Sequence, residues 1–204
     1  MATKGEQTKE NILAIAEGII LQKGFSGTSI DEIIAVAKIT KGGFFYHFTG
    51  KNDLAYALVN RYLKNDEVFF DNLFKRARTL SEDPLQQMLI FINLLAEEME
   101  NLPDVHPGCL VASFTYESQQ FDKELKELMS TGIISWRNKF LEQLENIKQI
   151  HPMKIEVSTA ELADMLTAVV EGGIIVSRCL TEPKILVAQL QQYRSYLRLL
   201  FGNA

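Results

Sequence analysis

Hydrophobic side chains recur every three or four positions along almost the whole chain, which is the spacing of amphipathic helices. Ile12, Ile15 and Ile19 set this spacing near the start, and a similar series over residues 121–147 predicts one long helix. No segment alternates polar and apolar residues over the length of a strand. The pattern therefore predicts an all-α fold of about nine helices, of which the first three are short.

Capping residues mark the ends of the N-terminal helices. Gly24 is placed to end the first helix, because glycine readily adopts the left-handed conformation of a C-terminal cap. Ser29 and Glu32 have the spacing of a capping box and predict the start of the second helix. Thr40 is placed to cap a third helix, and Gly50 precedes a long helix over about residues 51–78.

The C-terminal part has start signals of its own. Asp83 before Pro84 places a capping acid ahead of a proline at the first helical position. Residues 102–107 predict a loop, and a short helix follows over about 109–118. Ser158 begins another capping box, for a helix to about residue 180, and Pro183 begins the last helix.

The charge is unevenly distributed along the chain. The net charge is −5 and the isoelectric point is about 5.3, which by themselves argue against binding to nucleic acid. Residues 1–51, however, carry six basic and five acidic side chains, whereas the remaining residues carry 15 basic and 21 acidic ones. Because an acidic body is repelled by phosphate, any contact with DNA is confined to the N-terminal part.

The segment ITKGGFFYHF, residues 39–48, places two glycines beside four aromatic residues in a predicted short helix. The lengths of the first three helices and of the turn between the second and third are those of a helix-turn-helix, whose second helix enters the major groove. Glycines at its start allow the backbone to approach DNA closely. Phe44 and Phe48 lie four residues apart and predict the face that anchors this helix, while Phe45 can contact a thymine methyl. The predicted DNA-contacting residues are Ser29, Thr40, Lys41, Gly42, Gly43, Phe45, Tyr46, His47 and Lys51.

The run GFSGTSIDEIIAVAKITKGGFFYHFTGKNDL resembles the N-terminal domain of the TetR family of bacterial transcriptional regulators. The resemblance lies in the pattern KG-x-x-Y-x-HF-x-x-K-x-x-L, of which the chain has Lys41, Gly42, His47, Phe48 and Lys51, with Phe45 where the family often has tyrosine. It implies a DNA-binding domain over residues 1–50 and a ligand-binding and dimerisation domain over 51–204. It also implies a homodimeric repressor that leaves a double-stranded DNA operator when a small molecule binds. The Met and aromatic residues of the C-terminal part favour an apolar or aromatic effector, and the lack of a recognisable signal peptide predicts a cytoplasmic protein.

A second departure from the family pattern concerns the turn of the helix-turn-helix. This chain has Lys38 where the family commonly has glycine. A lysine forced into a left-handed conformation there costs about 1 kcal/mol.

The C-terminal part resembles one subgroup of the family's ligand-binding domains through the segment 107–110, Trp136 and the segment 170–174. By this resemblance the last two helices pair with their copies in a dimer. The predicted interface residues are Leu166, Val169, Gly172, Gly173, Val176, Leu190, Tyr193 and Leu197. Candidates for an apolar effector pocket are Met88, Phe91, Cys109, Phe114, Met129 and Trp136, each of which is alternatively a core residue.

Glu117 and Arg137 are candidates for the polar residues that would bind an effector, but no sequence pattern identifies them. Cys109 is either a thiol sensor of electrophiles or a small buried hydrophobic residue. The 70 positions between Cys109 and Cys179 suit neither a metal site nor a disulfide framework.

Other functional classes lack their sequence signals. No nucleophile motif, catalytic carboxylate–histidine spacing, phosphate loop or helical metal-ligand spacing occurs, so neither an enzyme nor a cofactor or metal is predicted. No apolar run is long enough to cross a membrane, and no signal peptide is recognisable. A helical adaptor that has lost DNA binding remains the alternative to a regulator.

Overall fold

The computed structural model describes residues 3–202, and within them the chain forms nine α-helices, one short 3₁₀ turn and no strand. The helices are α1 Lys4–Lys23, α2 Ile30–Ala37, α3 Lys41–His47, α4 Lys51–Leu80, α5 Pro84–Glu100, α6 Leu110–Tyr116, α7 Lys123–Ile150, α8 Thr159–Leu180 and α9 Lys184–Phe201. The predicted all-α fold is therefore confirmed. In the described part of the chain, none of these helices combines the length and apolar character that a membrane span requires.

Five of the predicted capping residues lie at helix ends: Gly24, Ser29, Thr40, Asp83 and Ser158. Gly24 does so with a ψ of 164°, which is outside the left-handed region expected of a C-terminal cap. Gly24 ends α1 with a φ of 80°, and the Ser29 hydroxyl accepts a hydrogen bond from the backbone of Glu32 at 3.1 Å. The Thr40 hydroxyl accepts from the N–H of Gly43 at 3.0 Å, and the Asp83 carboxylate caps α5 in the same way. These contacts link neighbouring residues, so they follow from local sequence alone.

Two helices differ from their predicted lengths. Helix α1 has 20 residues and is not short, because Thr3 and Glu6 form a capping box well before the first apolar position. Helix α6 ends at Tyr116, and a 3₁₀ turn at Ser118–Gln120 follows it. Helix boundaries in polar segments are poorly marked by hydrophobic spacing, which explains both differences.

The chain is divided into two compact units that do not follow the order of the sequence. The first unit contains the residues up to Asn65 together with Pro107–Ser130, and the second contains Asp66–His106 together with the residues from Thr131 onward. The predicted division at residue 50 does not coincide with either unit. The reason is that α6 and the start of α7 pack with the N-terminal helices although they lie far along the chain.

Three rings form the centre of the first unit. Phe25, in the turn between α1 and α2, contacts the rings of Phe114 and Phe121 with centroids 5.2 and 4.9 Å away. All three side chains are buried. Edge-on contacts of this kind add to the hydrophobic stabilisation, so α6 helps to hold the turn that follows α1.

The second unit has a larger aromatic core. Phe74 on α4 stacks on Phe91 of α5 with centroids 4.0 Å apart, and the ring of Phe140 on α7 lies within 6.4 Å of both. Helices α5 and α8 both pack against α9. The hydroxyl of Tyr193 on α9 donates to the carbonyl of Leu162 on α8 at 2.8 Å, which satisfies the polar end of a buried ring.

Candidate nucleic-acid interface

Helices α2 and α3 are joined by the tight turn of residues 38–40. Lys38 is in the left-handed region, with φ 54° and ψ 42°, as the resemblance implied. Its N–H and that of Ile39 bond back to carbonyls near the end of α2, which closes that helix. The turn therefore fixes the direction in which α3 leaves it.

The aromatic residues of α3 fall into two groups. Phe44 and Phe48 are fully buried, and their ring centroids lie 5.5 Å apart. Tyr46 is 81 % exposed and Phe45 is 43 % exposed. The anchoring role predicted for Phe44 and Phe48 is what the structure shows, and the exposed group leaves a phenol hydroxyl and a ring available to a ligand.

The two glycines of α3 differ in their surroundings. A Cβ added to Gly42 would meet only the Thr40 hydroxyl, 4.0 Å away, which is ordinary contact. A Cβ added to Gly43 would lie 3.3 Å from that hydroxyl, which caps the N–H of Gly43 itself. Packing within the protein therefore accounts for a glycine at position 43, whereas at position 42 it leaves room for a side chain.

The cations predicted to contact DNA are also of two kinds. Lys41 and its neighbour Asp31 are both largely exposed, and the 3.8 Å between Nζ and Oδ1 makes a weak pair. Lys51 instead donates to the carbonyl of Phe25, with its ammonium 4.3 Å from the centre of that ring. Desolvation lowers the pKa of Lys51, partly offset by the charge of Glu117. The structure thus engages Lys51 inside the first unit, and its contact with DNA stays a prediction.

Glu117, at the end of α6, binds the turn between α1 and α2. Its carboxylate accepts hydrogen bonds from the N–H of Phe25 at 2.6 Å, from the N–H of Ser26 at 2.9 Å and from the Ser26 hydroxyl. The side-chain amide of Gln120 donates to the same carboxylate at 2.9 Å. These four donors and Glu117 are called the Glu117 network below.

The Glu117 network has consequences for charge and for shape. Partial burial raises the pKa of Glu117, but the hydrogen bonds from Ser26, Phe25 and Gln120 together lower it below the ordinary value. A Cβ at Gly24 would lie 2.7 Å from a Glu117 oxygen, so the glycine admits the carboxylate as well as ending α1. The structure therefore assigns Glu117 to this turn, where the sequence offered it as an effector anchor.

A second side-chain bond connects α4 with the start of α7. The Tyr56 hydroxyl donates to the Asp122 carboxylate at 2.6 Å, and Asp122 also accepts from the N–H of Leu125. Desolvation and the bond to Asp122 raise the pKa of Tyr56 to about 12. Neither residue was singled out in the sequence, because their partners lie 66 positions apart and no local pattern links them.

The six residues predicted to line an effector pocket are divided between the two units. Three are buried in the second unit: Met88, Phe91 and Trp136. The other three are buried in the first unit: Cys109, Phe114 and Met129. Each group contributes to the hydrophobic core of its own unit, so its burial needs no ligand to explain it, and a pocket that includes these residues stays a prediction.

Cys109 and Arg137 have structural partners. The Cys109 sulfur accepts a hydrogen bond from the N–H of Ala112 at 3.4 Å and caps α6. Arg137 pairs with Asp164 through two bonds of 2.5 and 2.8 Å. Because this fork occupies both carboxylate oxygens, the geometry is that of a helix–helix contact between α7 and α8. Cys179, by contrast, is exposed on α8.

Most of the predicted dimer residues face the inside of the protomer. Five of the eight are buried in the second unit: Leu166, Gly173, Leu190, Tyr193 and Leu197. Gly173 admits Leu186 of α9, whose Cδ1 would lie 2.7 Å from a Cβ at that position. These five are corrected to core residues of the protomer, because they lie on the faces of α8 and α9 that are buried within it. Val169, Gly172 and Val176 lie at the surface.

Two family models match the chain. Residues 12–58 match the model described as bacterial regulatory proteins of the tetR family, and residues 84–192 match the C-terminal domain of LmrA/YxaF-like transcriptional regulators. An uncharacterised HTH-type regulator of Lactococcus lactis is 25 % identical over 88 % of the chain and 87 % of its own length. The repressor NemR of Escherichia coli is 21 % identical over 81 % of each protein.

Solved structures share the fold. A transcriptional regulator from Agrobacterium tumefaciens superposes with a TM-score of 0.80, covering 97 % of this chain and all of the other at 22 % identity. The reduced form of E. coli NemR superposes with a TM-score of 0.76, covering 97 % and 99 % of the two chains at 19 % identity.

Proposed function

The chain belongs to the TetR family of bacterial regulatory proteins, and on that premise we propose that it is a repressor released from its operator by a small molecule. Like the members of that family, it is a DNA-binding transcriptional regulator and not an enzyme. Relatives named as repressors include NemR and DhaR. Since the bacterial chromosome lies in the cytoplasm, we place its action there.

The operator contact is assigned to the exposed side of α3 and to the residues that cap α2 and α3. The observation that carries this assignment is the separation of the α3 rings, in which Phe44 and Phe48 are buried while Phe45 and Tyr46 face solvent. Capping leaves the hydroxyl protons of Ser29 and Thr40 available to phosphate oxygens. Lys41 supplies a largely exposed cation and His47 a ring nitrogen.

The homodimer is assigned to the outer face of α8. Apolar side chains recur along this face at helical spacing, with Ile175 51 % exposed. The face comprises Met165, Val169, Gly172, Ile175, Val176 and Leu180. An apolar stripe of this length on a surface helix is typical of a helix that packs against another. A two-fold dimer would present two copies of α3 to two half-sites.

The effector site is assigned to the aromatic cluster of the second unit. Phe70 on α4 is only half-buried, and its ring centroid lies 6.2 Å from that of Phe91 and 6.4 Å from that of Trp136. Aromatic walls of this kind favour an apolar or aromatic effector. A probe that binds here should quench or shift the fluorescence of Trp136, which is the single tryptophan of the chain.

Release is assigned to a shift between two conformations of the protomer. The Glu117 network supports this mechanism, because Glu117 follows α6 in the chain and yet holds the turn before α2. An effector that favours a conformation in which α6 is displaced would remove these bonds from the turn. A ligand shifts such an equilibrium only by its difference in affinity between the two states.

The function is tested by selecting DNA that the protein retains from a random pool, followed by a screen for compounds that release it. The expected result is an enriched palindromic sequence and a compound that abolishes the retarded band. Tyr46→Ala, which alters only an exposed ring, should weaken retention while leaving the melting temperature unchanged. Failure of the wild-type protein to enrich any sequence would support an adaptor and contradict a repressor.

A further inference from the structure

A groove on the second unit lies among residues to which neither DNA contact nor dimer contact is assigned above. Its walls come from the start of α5, the end of α9 and the loop that follows α7. Its volume is about 590 Å³, which is within the range of small-molecule sites. The loop is held to α9 by the N–H of Lys154, which donates to the carbonyl of Leu200 at 3.0 Å.

The charges of this groove differ from those of the chain around it. Its basic lining residues are His151, Lys154 and Arg198, and no acidic residue lines it. Residues 52–204 carry an excess of acidic side chains. A second cavity of the same unit, of about 470 Å³, is lined by Glu100, Glu182 and Lys184 and so has the opposite balance.

Within the described residues, two of these three basic side chains have no acidic partner. His151 pairs with Asp83, with 2.9 Å between Nε2 and Oδ2, and the other oxygen of Asp83 caps α5. Lys154 and Arg198 make no ion pair with any residue in the range 3–202. An ammonium and a guanidinium that line the same groove attract an anion, and both side chains are exposed to solvent.

Apolar side chains line both sides of the groove, together with the polar residues Gln86 and Ser195. Leu85 and Leu89 are nearly fully buried and contribute from α5, and Leu199 contributes from α9 with 71 % of its surface exposed. Covering Leu199 would remove apolar surface from water and so favour a ligand with a hydrocarbon chain. The groove thus combines unpaired cations with hydrocarbon surface.

We propose that this groove binds an amphipathic organic anion, whose carboxylate pairs with Lys154 and Arg198 while its hydrocarbon chain covers Leu85, Leu89 and Leu199. This site is independent of the effector site in the aromatic cluster. Its ligand need not release DNA.

Calorimetry with octanoate, and with octan-1-ol as an uncharged ligand of the same chain length, tests the proposal on the full-length protein. Octanoate should bind at least about tenfold more tightly than octan-1-ol, because only its carboxylate can form charge-assisted hydrogen bonds with Lys154 and Arg198. Lys154→Gln should weaken octanoate about fivefold, and Lys154→Gln with Arg198→Gln more than tenfold. Neither change should alter the binding of octan-1-ol.

Two control variants separate charge in this groove from charge elsewhere and from misfolding. Lys184→Gln removes a cation from the second cavity and should leave octanoate binding unchanged. Arg198→Lys keeps the charge and should retain most of the affinity, which excludes a general structural effect of position 198. Equal binding of octanoate by the wild type and the double variant would overturn the proposal, and so would a loss of the same size in Lys184→Gln.

Discussion

Helices α3 and α8 both carry apolar side chains on two faces, but only in α3 did the sequence indicate correctly which face is buried. In α3 the buried pair, Phe44 and Phe48, stands four residues apart, and Phe45 and Tyr46 are left outside. In α8 the inner residues, such as Leu166, and the outer residues, such as Ile175, are mostly aliphatic on both faces and recur at helical spacing. Periodicity identifies a helix in both cases, but it distinguishes the two faces only where their chemistry differs.

The outer faces of α3 and α8 also differ in what they can bind. On α3 the outer residues are aromatic and polar and occupy a seven-residue helix, so they form a small, directional surface. On α8 the outer face is long and apolar, and suits contact with another helix. The first kind of surface suits recognition of a polar ligand, whereas the second suits association with a copy of itself.

The largest expected effect separates the inner from the outer face of the C-terminal helices. Leu190→Ala should lower the free energy of unfolding by about 2–5 kcal/mol, because Leu190 is fully buried. Ile175→Glu should change the stability of the protomer little and convert the dimer to monomer, measured by analytical ultracentrifugation. A dimeric Ile175→Glu protein would show that the outer face of α8 is not the interface.

The next effect tests the surface of α3 at Gly42. Gly42→Leu should stabilise the fold by about 0.5–1 kcal/mol, because leucine is a better helix former and the site is open. The same change should weaken operator binding about tenfold or more, since the side chain displaces the backbone from DNA. Thermal melts and gel shifts measure the two quantities. Gly18→Leu, at an open position of α1, should give the stabilisation with unchanged DNA binding.

The third effect tests the Glu117 network by pH. Because the folded-state pKa of Glu117 is lowered, its charge contributes stability that is complete above the unfolded pKa and is lost as pH falls through the folded value. Glu117→Gln should therefore melt below the wild type at pH 7, and the difference should shrink as the pH falls below the ordinary glutamate pKa of about 4.3 and disappear below the lowered folded value. A difference that is the same at every pH would assign the stabilisation to shape and not to charge.

The smallest effect concerns the left-handed turn before α3. Lys38→Gly should raise the free energy of unfolding by about 0.5–1 kcal/mol, because it removes the strain at φ 54° but adds flexibility to the unfolded chain. Lys38→Ala keeps the Cβ and removes the charge, so it should bring no such gain in chemical denaturation. A gain in both variants would point to the lysine charge as the source.

The features that were predicted correctly rest on contacts between near neighbours. The caps at Ser29, Thr40 and Asp83 each join residues two or three positions apart, and the left-handed Lys38 follows from the family pattern of the turn. The features that were missed join distant residues. Lys51 contacts the carbonyl of Phe25 across 26 positions, and Glu117 contacts the same residue across 92 positions.

Sequence spacing could not reveal these distant pairs. The position of a charged residue within a helix does not reveal its partner, which can be DNA, an effector or a backbone amide that the fold brings near. The assignment of Lys51 and Glu117 therefore required the positions of α4 and α6 around Phe25. The same limit applied to the inner and outer faces of α8.

The Glu117 network affects how the protein folds during synthesis and where it can be divided into transferable domains. A nascent chain that has emerged only to residue 65 has α1 to α3 but lacks the carboxylate that holds the turn at Phe25 and Ser26. The DNA-binding part is complete only once residue 120 has left the ribosome. A chimeric regulator joined at residue 50 would therefore carry a recognition helix whose support belongs to the discarded half, and a graft should include residues 107–130.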